Sequence, residues 1–242
     1  MAAISALPAG CLLMAAGNAS RFGENKLAAC FDGQSLFSLA LAAIPAEMFA
    51  RVTVVSQYPA LLEEASLAGF DTILNDRPED GISRTIRLGT QAMADCAGIL
   101  YMVADQPLLR AGTVRRVVDA WRANPDCIAA AAHNGKRGNP CLFPARFFPE
   151  LCALEADRGG SSVIRRHEDA LLLVEAGERE LFDCDTKQAL EILNDLQGIP
   201  LVANYQYGLN GGRRGGRGMA RSLTWVPVGP VWMRPPMRSS AG

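Results

Sequence analysis

The chain has 242 residues, of which 49% are hydrophobic and 20% are charged, and its formal net charge at pH 7 is −1. This composition is that of a globular protein with a sizeable core, which excludes a disulfide-stapled miniprotein, a collagen and a wholly disordered chain. The 7 cysteines form no C-x-x-C pair and there are 2 histidines. We therefore expect reduced thiols, no zinc site and a cytoplasmic location. No apolar run approaches the ~18 residues that a membrane span needs, so we also expect no membrane segment.

Short apolar segments alternate along the chain with longer segments in which apolar residues recur every three or four positions. The short segments predict strands and the longer ones predict amphipathic helices. In chain order, we predict a strand at 11–16, a helix at 35–44, strands at 52–56 and 72–75, a helix at 83–94, a strand at 99–104, a helix at 113–121, strands at 127–132 and 171–174, and a helix at 186–196. This alternation predicts an α/β fold with a mostly parallel central sheet, and ligands bound beyond the carboxyl ends of its strands.

The last part of the chain, residues 205–242, differs in composition. It is rich in Gly, Arg and Pro and contains none of the 25 acidic residues. We therefore predict a domain at 1–204 and a Gly/Arg/Pro-rich tail at 205–242 that is disordered. The domain is net acidic, so we expect no nucleic-acid partner, because phosphate neutralisation requires clustered Lys and Arg.

The segment after the first predicted strand brings small residues and two cations together, since residues 12–26 read LLMAAGNASRFGENK. Gly17 permits close approach of the backbone to a ligand, and Arg21 and Lys26 can neutralise phosphate oxygens. The spacing matches neither a P-loop nor a G-x-G-x-x-G loop. From the residues alone, a phosphate-binding loop and a surface loop with two solvated cations are equally open.

Carboxylates occupy two further positions of interest. Asp105 follows the apolar strand predicted at 99–104, where a hard oxygen ligand suits Mg²⁺, although an Asp before Gln-Pro also initiates turns. Asp183 or Asp185 can complete such a metal site. The alternative for Asp185 is to cap the helix predicted at 186–196.

Residues 12–26 resemble the signature L-A-A-G-x-S-x-R-[MF]-G-x-x-K of the nucleotidyltransferases, with Ala19 at the usual serine position and Ser20 after it. Later segments resemble further motifs of these enzymes in the same order: DRPEDGISRTIRLG at 76–89, ADQP at 104–107, RGNPCLF at 137–143, DRGGSSVI at 157–164 and DCDT at 183–186. Thr85 stands where the usual motif has Ser, and Lys187-Gln188-Ala189 replaces the usual Pro-Glu-Asp. Over about residues 12–196, the chain resembles the molybdenum cofactor cytidylyltransferases of the molybdopterin nucleotidyltransferase group.

This resemblance implies a Rossmann-like three-layer α/β/α fold and Mg²⁺-dependent transfer of CMP from CTP to molybdenum-bound molybdopterin, with release of pyrophosphate. Carried over residue by residue, it implies that the nucleotide is bound by Ala15, Ala16, Gly17, Arg21, Lys26, Gly81, Thr85 and Asp105. It further implies catalytic roles for Arg21, Lys26 and Asp105, and Mg²⁺ ligation by Asp105 with Asp185 as a second ligand. Asn139, Ser161 and Ser162 are the residues implied for the acceptor.

The start Ala15-Ala16-Gly17 favours CTP over GTP, because the guanylyl-transferring branch has Ala-Gly-Gly there. The resemblance also implies a recipient molybdoenzyme of the xanthine dehydrogenase type as a partner. Two alternatives stay open. One is a guanylyl-, sugar-phosphate or polyol-phosphate nucleotidyltransferase of the same fold. The other is a non-catalytic factor for maturation or insertion of the molybdenum cofactor.

Overall fold

The computed structural model describes residues 7–17 and 25–195, with the side chain of residue 195 excepted. Within this part of the chain, seven strands form one sheet in the order β5-β4-β1-β6-β8-β7-β9, and β2 and β3 form a separate antiparallel ribbon. Among the described strands of the sheet, only β8 runs antiparallel to its neighbours. The strands are β1 (Ala9–Ala15), β2 (Cys30–Phe31), β3 (Gln34–Ser35), β4 (Arg51–Ser56), β5 (Asp71–Leu74), β6 (Gly98–Val103), β7 (Ile128–His133), β8 (Lys136–Pro144) and β9 (Leu171–Glu175).

Helices cover both faces of this sheet. Those in the described residues are α1 (Leu36–Ala42), α2 (Pro59–Leu67), α3 (Ile82–Ala92), α4 (Ala111–Ala123), α5 (Phe148–Cys152), α6 (Ser161–Ile164) and α7 (Lys187–Asp195). Apolar residues of α1, α2 and α4 share one core cluster with Leu13, whereas those of α3, α5 and α6 share another with Leu12. The alternation of strand side chains between the two faces therefore divides the core into two layers.

The strand order reverses beside β1, and this reversal determines where a ligand crevice forms. The chain passes from β1 to β4 and β5 on one side, and then returns to form β6 on the other side of β1. In an open parallel sheet, the connections after two such strands diverge and leave a crevice at their carboxyl ends. Here the crevice lies between the residues after β1 and those after β6.

The predicted α/β fold is confirmed, with Rossmann-like three-layer α/β/α architecture and a mostly parallel sheet. Each predicted strand and helix is present, with bounds that differ by a few residues. Among the described strands and α-helices, six were not predicted: β2, β3, the long strand β8, α2, α5 and α6. In the described residues, no helix is long and apolar enough to cross a membrane. The predicted tail at 205–242 lies outside the described residues, so the division at residue 204 stays a prediction.

Candidate active site

A cavity of about 460 Å³ opens at the crevice between β1 and β6. Its lining comes from the end of β1, the turn that begins at Lys26, the start of α3 and the end of β6. Of the residues predicted to bind the nucleotide, those within the described residues all line it: Ala15, Ala16, Gly17, Lys26, Gly81, Thr85 and Asp105. Arg21, also predicted for this role, lies outside the described residues.

Lys26 contacts two carboxylates at the edge of this cavity. Its ammonium nitrogen lies 2.5 Å from Asp105 Oδ2 and 3.0 Å from Asp185 Oδ1. The backbone around Lys26 is held by Asn25, whose side chain accepts a hydrogen bond from the Leu27 amide at 3.2 Å, and by the buried Leu27 side chain. Residues distant in sequence thus form one charged group where the predicted phosphate loop, the β6 turn and the segment before α7 meet.

The charge of Lys26 is stabilised by its partners. Burial by itself lowers the pKa of Lys26, but the negative charge of Asp105 and hydrogen bonds to Asp105 and Asp185 raise it more strongly. The net result is a pKa above the ordinary value for lysine, so Lys26 carries a positive charge at neutral pH. A protonated amine at this position can bind an anionic phosphate.

One carboxylate oxygen of Asp105 contacts Lys26, and the other has no partner in the part of the chain that the structure describes. Its Oδ1 atom is buried and accepts no hydrogen bond from the described residues. An unpartnered buried carboxylate oxygen is costly, and a hard cation is one ligand that satisfies it. The described residues contain no group of three or more His, Cys, Asp or Glu side chains placed to hold a metal. Asp105 and Asp185 are hard oxygen donors, and they fit Mg²⁺, which binds one or two carboxylates together with substrate phosphates.

The structure separates the two carboxylates that the sequence left as alternatives. Asp185 lies beside Lys26, whereas Asp183 Oδ1 accepts a hydrogen bond from Gln106 Nε2 at 2.9 Å. Partial burial and the charge of Asp105 raise the pKa of Asp183 above its usual range. The capping role considered for Asp185 belongs instead to Thr186, whose hydroxyl accepts from the Ala189 amide at 3.1 Å.

The segment that carries Asp183 and Asp185 is anchored by a buried carboxylate that the sequence analysis missed. Glu180 accepts hydrogen bonds from the Arg110 amide at 3.2 Å and from the Thr113 hydroxyl at the start of α4. It also accepts from the Gly177 amide at 3.1 Å, which closes its own turn. No local sequence signal identifies this anchor, because Arg110 and Thr113 lie 70 and 67 residues away from Glu180 in the chain.

A second, smaller cavity of about 100 Å³ adjoins the first and shares Met14 and Ile82 with it. Asn139 and Ser161, both predicted for the acceptor, line this second cavity, as does Arg137. Ser162 does not line either cavity. Its hydroxyl donates to the Gly159 carbonyl at 2.8 Å, so it stabilises its own turn at the start of α6. The role of Ser162 as an acceptor contact stays a prediction, and its hydroxyl proton is already used within this turn.

Gly81, which lines the larger cavity, lies against the backbone of Ala156. The Ala156 carbonyl accepts a hydrogen bond from the Ser83 amide at 3.1 Å, so the turn before α6 caps the start of α3. Gly81 has φ 83° and ψ −174°, which is a backbone conformation open to glycine almost alone. A Cβ atom at Gly81 would overlap the backbone of Ala156.

Gly81→Ala should weaken both the fold and nucleotide binding. Backbone strain of about 1–3 kcal/mol is expected from the conformation alone, and the overlap with Ala156 must displace one of the two turns. Urea unfolding and nucleotide titration measure the two losses. Gly135→Ala is the matched control, because Gly135 also has a positive φ of 75° but has nothing within 4 Å of the missing Cβ. Equal losses in the two variants would refute the role of the contact with Ala156.

Fold and site together define a nucleotide-binding α/β protein with a cation and carboxylates at its topological switch point. Residues 11–171 match the MobA-like NTP transferase domain, and this chain belongs to that family of nucleotidyltransferases. Purine catabolism protein PucB of Bacillus subtilis (strain 168) is 25% identical over 199 residues, which cover 75% of this chain and 94% of PucB.

Solved structures agree on the fold. Rv0371c from Mycobacterium tuberculosis H37Rv matches with a TM-score of 0.68 and 20% identity, over 79% of this chain and 100% of that chain. A second structure of Rv0371c contains manganese. A Methanothermobacter nucleotidyl transferase, Mth528, matches with a TM-score of 0.66 and 19% identity, over 78% of this chain and 96% of that chain. At these identities the likenesses concern the fold, and the predicted nucleotidyltransferase architecture is confirmed.

Proposed function

We propose that this protein is a molybdenum cofactor cytidylyltransferase, which transfers CMP from CTP to molybdenum-bound molybdopterin. The main support is one observation: the residues carried over for nucleotide binding surround a single cavity, with Lys26 and Asp105 paired at its edge. The small cavity beside it, with Arg137, Asn139 and Ser161, is a suitable place for the phosphate end of an acceptor.

In the proposed reaction, a terminal phosphate oxygen of molybdopterin attacks the α-phosphorus of CTP. A new phosphorus–oxygen bond forms, the bond between the α-phosphorus and the bridging oxygen breaks, and pyrophosphate leaves with that oxygen. The attacking oxygen is already anionic, so no general base is required. Transfers of this kind depend chiefly on positioning and charge neutralisation.

The residues of this chain supply both the positioning and the charge neutralisation. Lys26 holds a positive charge for the phosphates and stabilises the leaving pyrophosphate, and Arg21 is proposed to share this role. Asp105, with Asp185 as a second ligand, would hold Mg²⁺, which supplies Lewis-acid stabilisation of the phosphate charge when bound. Ala15, Ala16 and Gly17 leave room for the nucleotide next to the backbone. Gly81 and Thr85, at the start of α3, are proposed to contact the base and ribose.

Melting temperatures with Mg²⁺ and each of CTP, GTP, ATP and UTP test the nucleotide half of the proposal. A ligand at 100 times its dissociation constant stabilises the folded state by about 2.7 kcal/mol, so we expect a clear increase with CTP that disappears with EDTA. Incubation with CTP and molybdenum-bound molybdopterin should then release pyrophosphate and yield the cytosine dinucleotide by mass.

The same experiments separate the alternatives. Stabilisation by GTP instead of CTP would indicate a guanylyltransferase. Pyrophosphate release with a sugar or polyol phosphate, and none with the pterin, would change the acceptor. Binding of molybdopterin without any nucleotide effect or pyrophosphate would favour a non-catalytic maturation factor. Transfer of product to an apo-hydroxylase of the xanthine dehydrogenase type would support the proposed partner.

A further inference from the structure

Asn75, directly after β5, is a buried amide whose orientation is determined by its neighbours. Asn75 is only 1% exposed. Its Oδ1 atom accepts hydrogen bonds from the Arg77 amide at 3.2 Å and from Arg84 Nε at 2.9 Å. Both of these groups can only donate, so the oxygen of the amide must face them and the nitrogen must face the other way.

The nitrogen of Asn75 in turn fixes the direction of a hydrogen bond with Thr85. Asn75 Nδ2 donates to Thr85 Oγ1 at 3.2 Å. The Thr85 hydroxyl therefore accepts from Asn75, and its own proton needs another acceptor. The described residues provide none for it. Thr85 is 3% exposed and lines the 460 Å³ cavity, so the unused donor belongs to a buried group at a ligand site.

We propose that Asn75 is a specificity-determining positioning residue, which makes Thr85 a hydrogen-bond donor to an acceptor atom of the nucleotide base. This inference rests on the proposed function. The chemistry that fits is a base with an acceptor at this point, as cytosine has at N3. Uracil carries N–H at its N3 position and guanine carries N–H at N1, so each would present a second donor to Thr85. A preference for cytosine over uracil and guanine then follows from polarity and not from size.

Asn75→Asp is the decisive variant, because it reverses one hydrogen bond and keeps the others. An aspartate oxygen can still accept from the Arg77 amide and from Arg84, but it has no donor for Thr85. Thr85 then donates to residue 75 and presents a lone pair to the cavity. We expect the ratio of the CTP and UTP dissociation constants, measured by calorimetry with Mg²⁺ and no acceptor, to shift at least ~10-fold toward UTP.

The ratio of the CTP and UTP dissociation constants is the decisive quantity. The negative charge added by Asn75→Asp weakens the binding of both nucleotides alike, so it cancels in this ratio. Asn124→Asp, at the exposed end of α4, adds the same charge elsewhere and should leave the ratio unchanged. Thr85→Val removes the hydroxyl and should reduce the preference for CTP, whereas Thr85→Ser should retain it. In the Thr85→Val background, Asn75→Asp should no longer shift the ratio, a result that a purely structural role for Asn75 does not produce.

Each outcome bears on a separate claim. If the wild-type protein binds CTP but Asn75→Asp leaves the ratio unchanged, this inference fails and the proposed function stands. If Asn75→Asp does not fold, an unchanged CTP preference in Thr85→Val is sufficient to overturn the inference. If the wild-type protein binds none of the nucleotides, both the inference and the proposed function fail.

Discussion

Asp105→Asn should reduce the rate of pyrophosphate release by about 10²- to 10³-fold, the loss typical when one group that stabilises transition-state charge is removed. The variant keeps the shape of the side chain and removes its charge. It takes away the buried Oδ1 carboxylate oxygen, which has no partner among the described residues, and so removes the best candidate ligand for Mg²⁺. Single-turnover release of pyrophosphate from CTP measures this effect directly.

The fold should survive this substitution. The backbone carbonyl of Asp105, which accepts from the Cys184 amide at 2.8 Å, is unchanged by it. We therefore expect a similar melting temperature without nucleotide, together with loss of the additional stabilisation by Mn²⁺ when CTP is present. Asp119→Asn is the matched control, since the Asp119 side chain is 67% exposed on α4. Full activity in Asp105→Asn would remove Asp105 from the proposed metal site.

The sequence predicted the sheet well because most of its strands are short apolar runs between helices. It did not predict β8, because Gly138, Asn139 and Pro140 interrupt the strand with residues that are uncommon in sheet interiors. It did not predict α2 either. That helix starts with Pro59, and its apolar residues are distributed around the axis, so that Leu67 is 85% exposed.

The residues predicted to bind the nucleotide were identified through the resemblance, and those in the described part of the chain line one cavity between the ends of β1 and β6 and the start of α3. What the sequence could not supply was the pairing between side chains. Asp185 and Lys26 are 159 positions apart, and their contact depends on how the segment after Glu180 is anchored to α4. The direction of the hydrogen bond between Asn75 and Thr85 could not be predicted either, since it depends on which groups surround Asn75. Contacts of this kind arise from tertiary packing and leave no local pattern.

Lys26→Met should abolish most of the activity and also destabilise the protein, and the two effects have different causes. Activity falls by about 10²-fold or more because the phosphates lose a positive charge that a methionine side chain of similar length cannot replace. Stability falls because Asp105, whose side chain is only 18% exposed, loses its partner while Asp183 and Asp185 remain near it. We expect a loss of about 1–3 kcal/mol in the free energy of unfolding, as for a partly buried group left unsatisfied.

A double variant separates the two causes. If Lys26 stabilises the fold by neutralising Asp105, then Lys26→Met together with Asp105→Asn should be more stable than Lys26→Met alone, although it is inactive. Mn²⁺ should likewise stabilise Lys26→Met more than the wild-type protein in the absence of nucleotide, because the cation and the Lys26 ammonium group neutralise the same carboxylates. Lys26→Arg should recover most of the stability and only part of the activity, since a planar guanidinium group does not reproduce the geometry of an ammonium group. Additive losses of stability in the double variant would show that Lys26 and Asp105 act independently, and the paired arrangement at the edge of the cavity would then have no role in holding the fold.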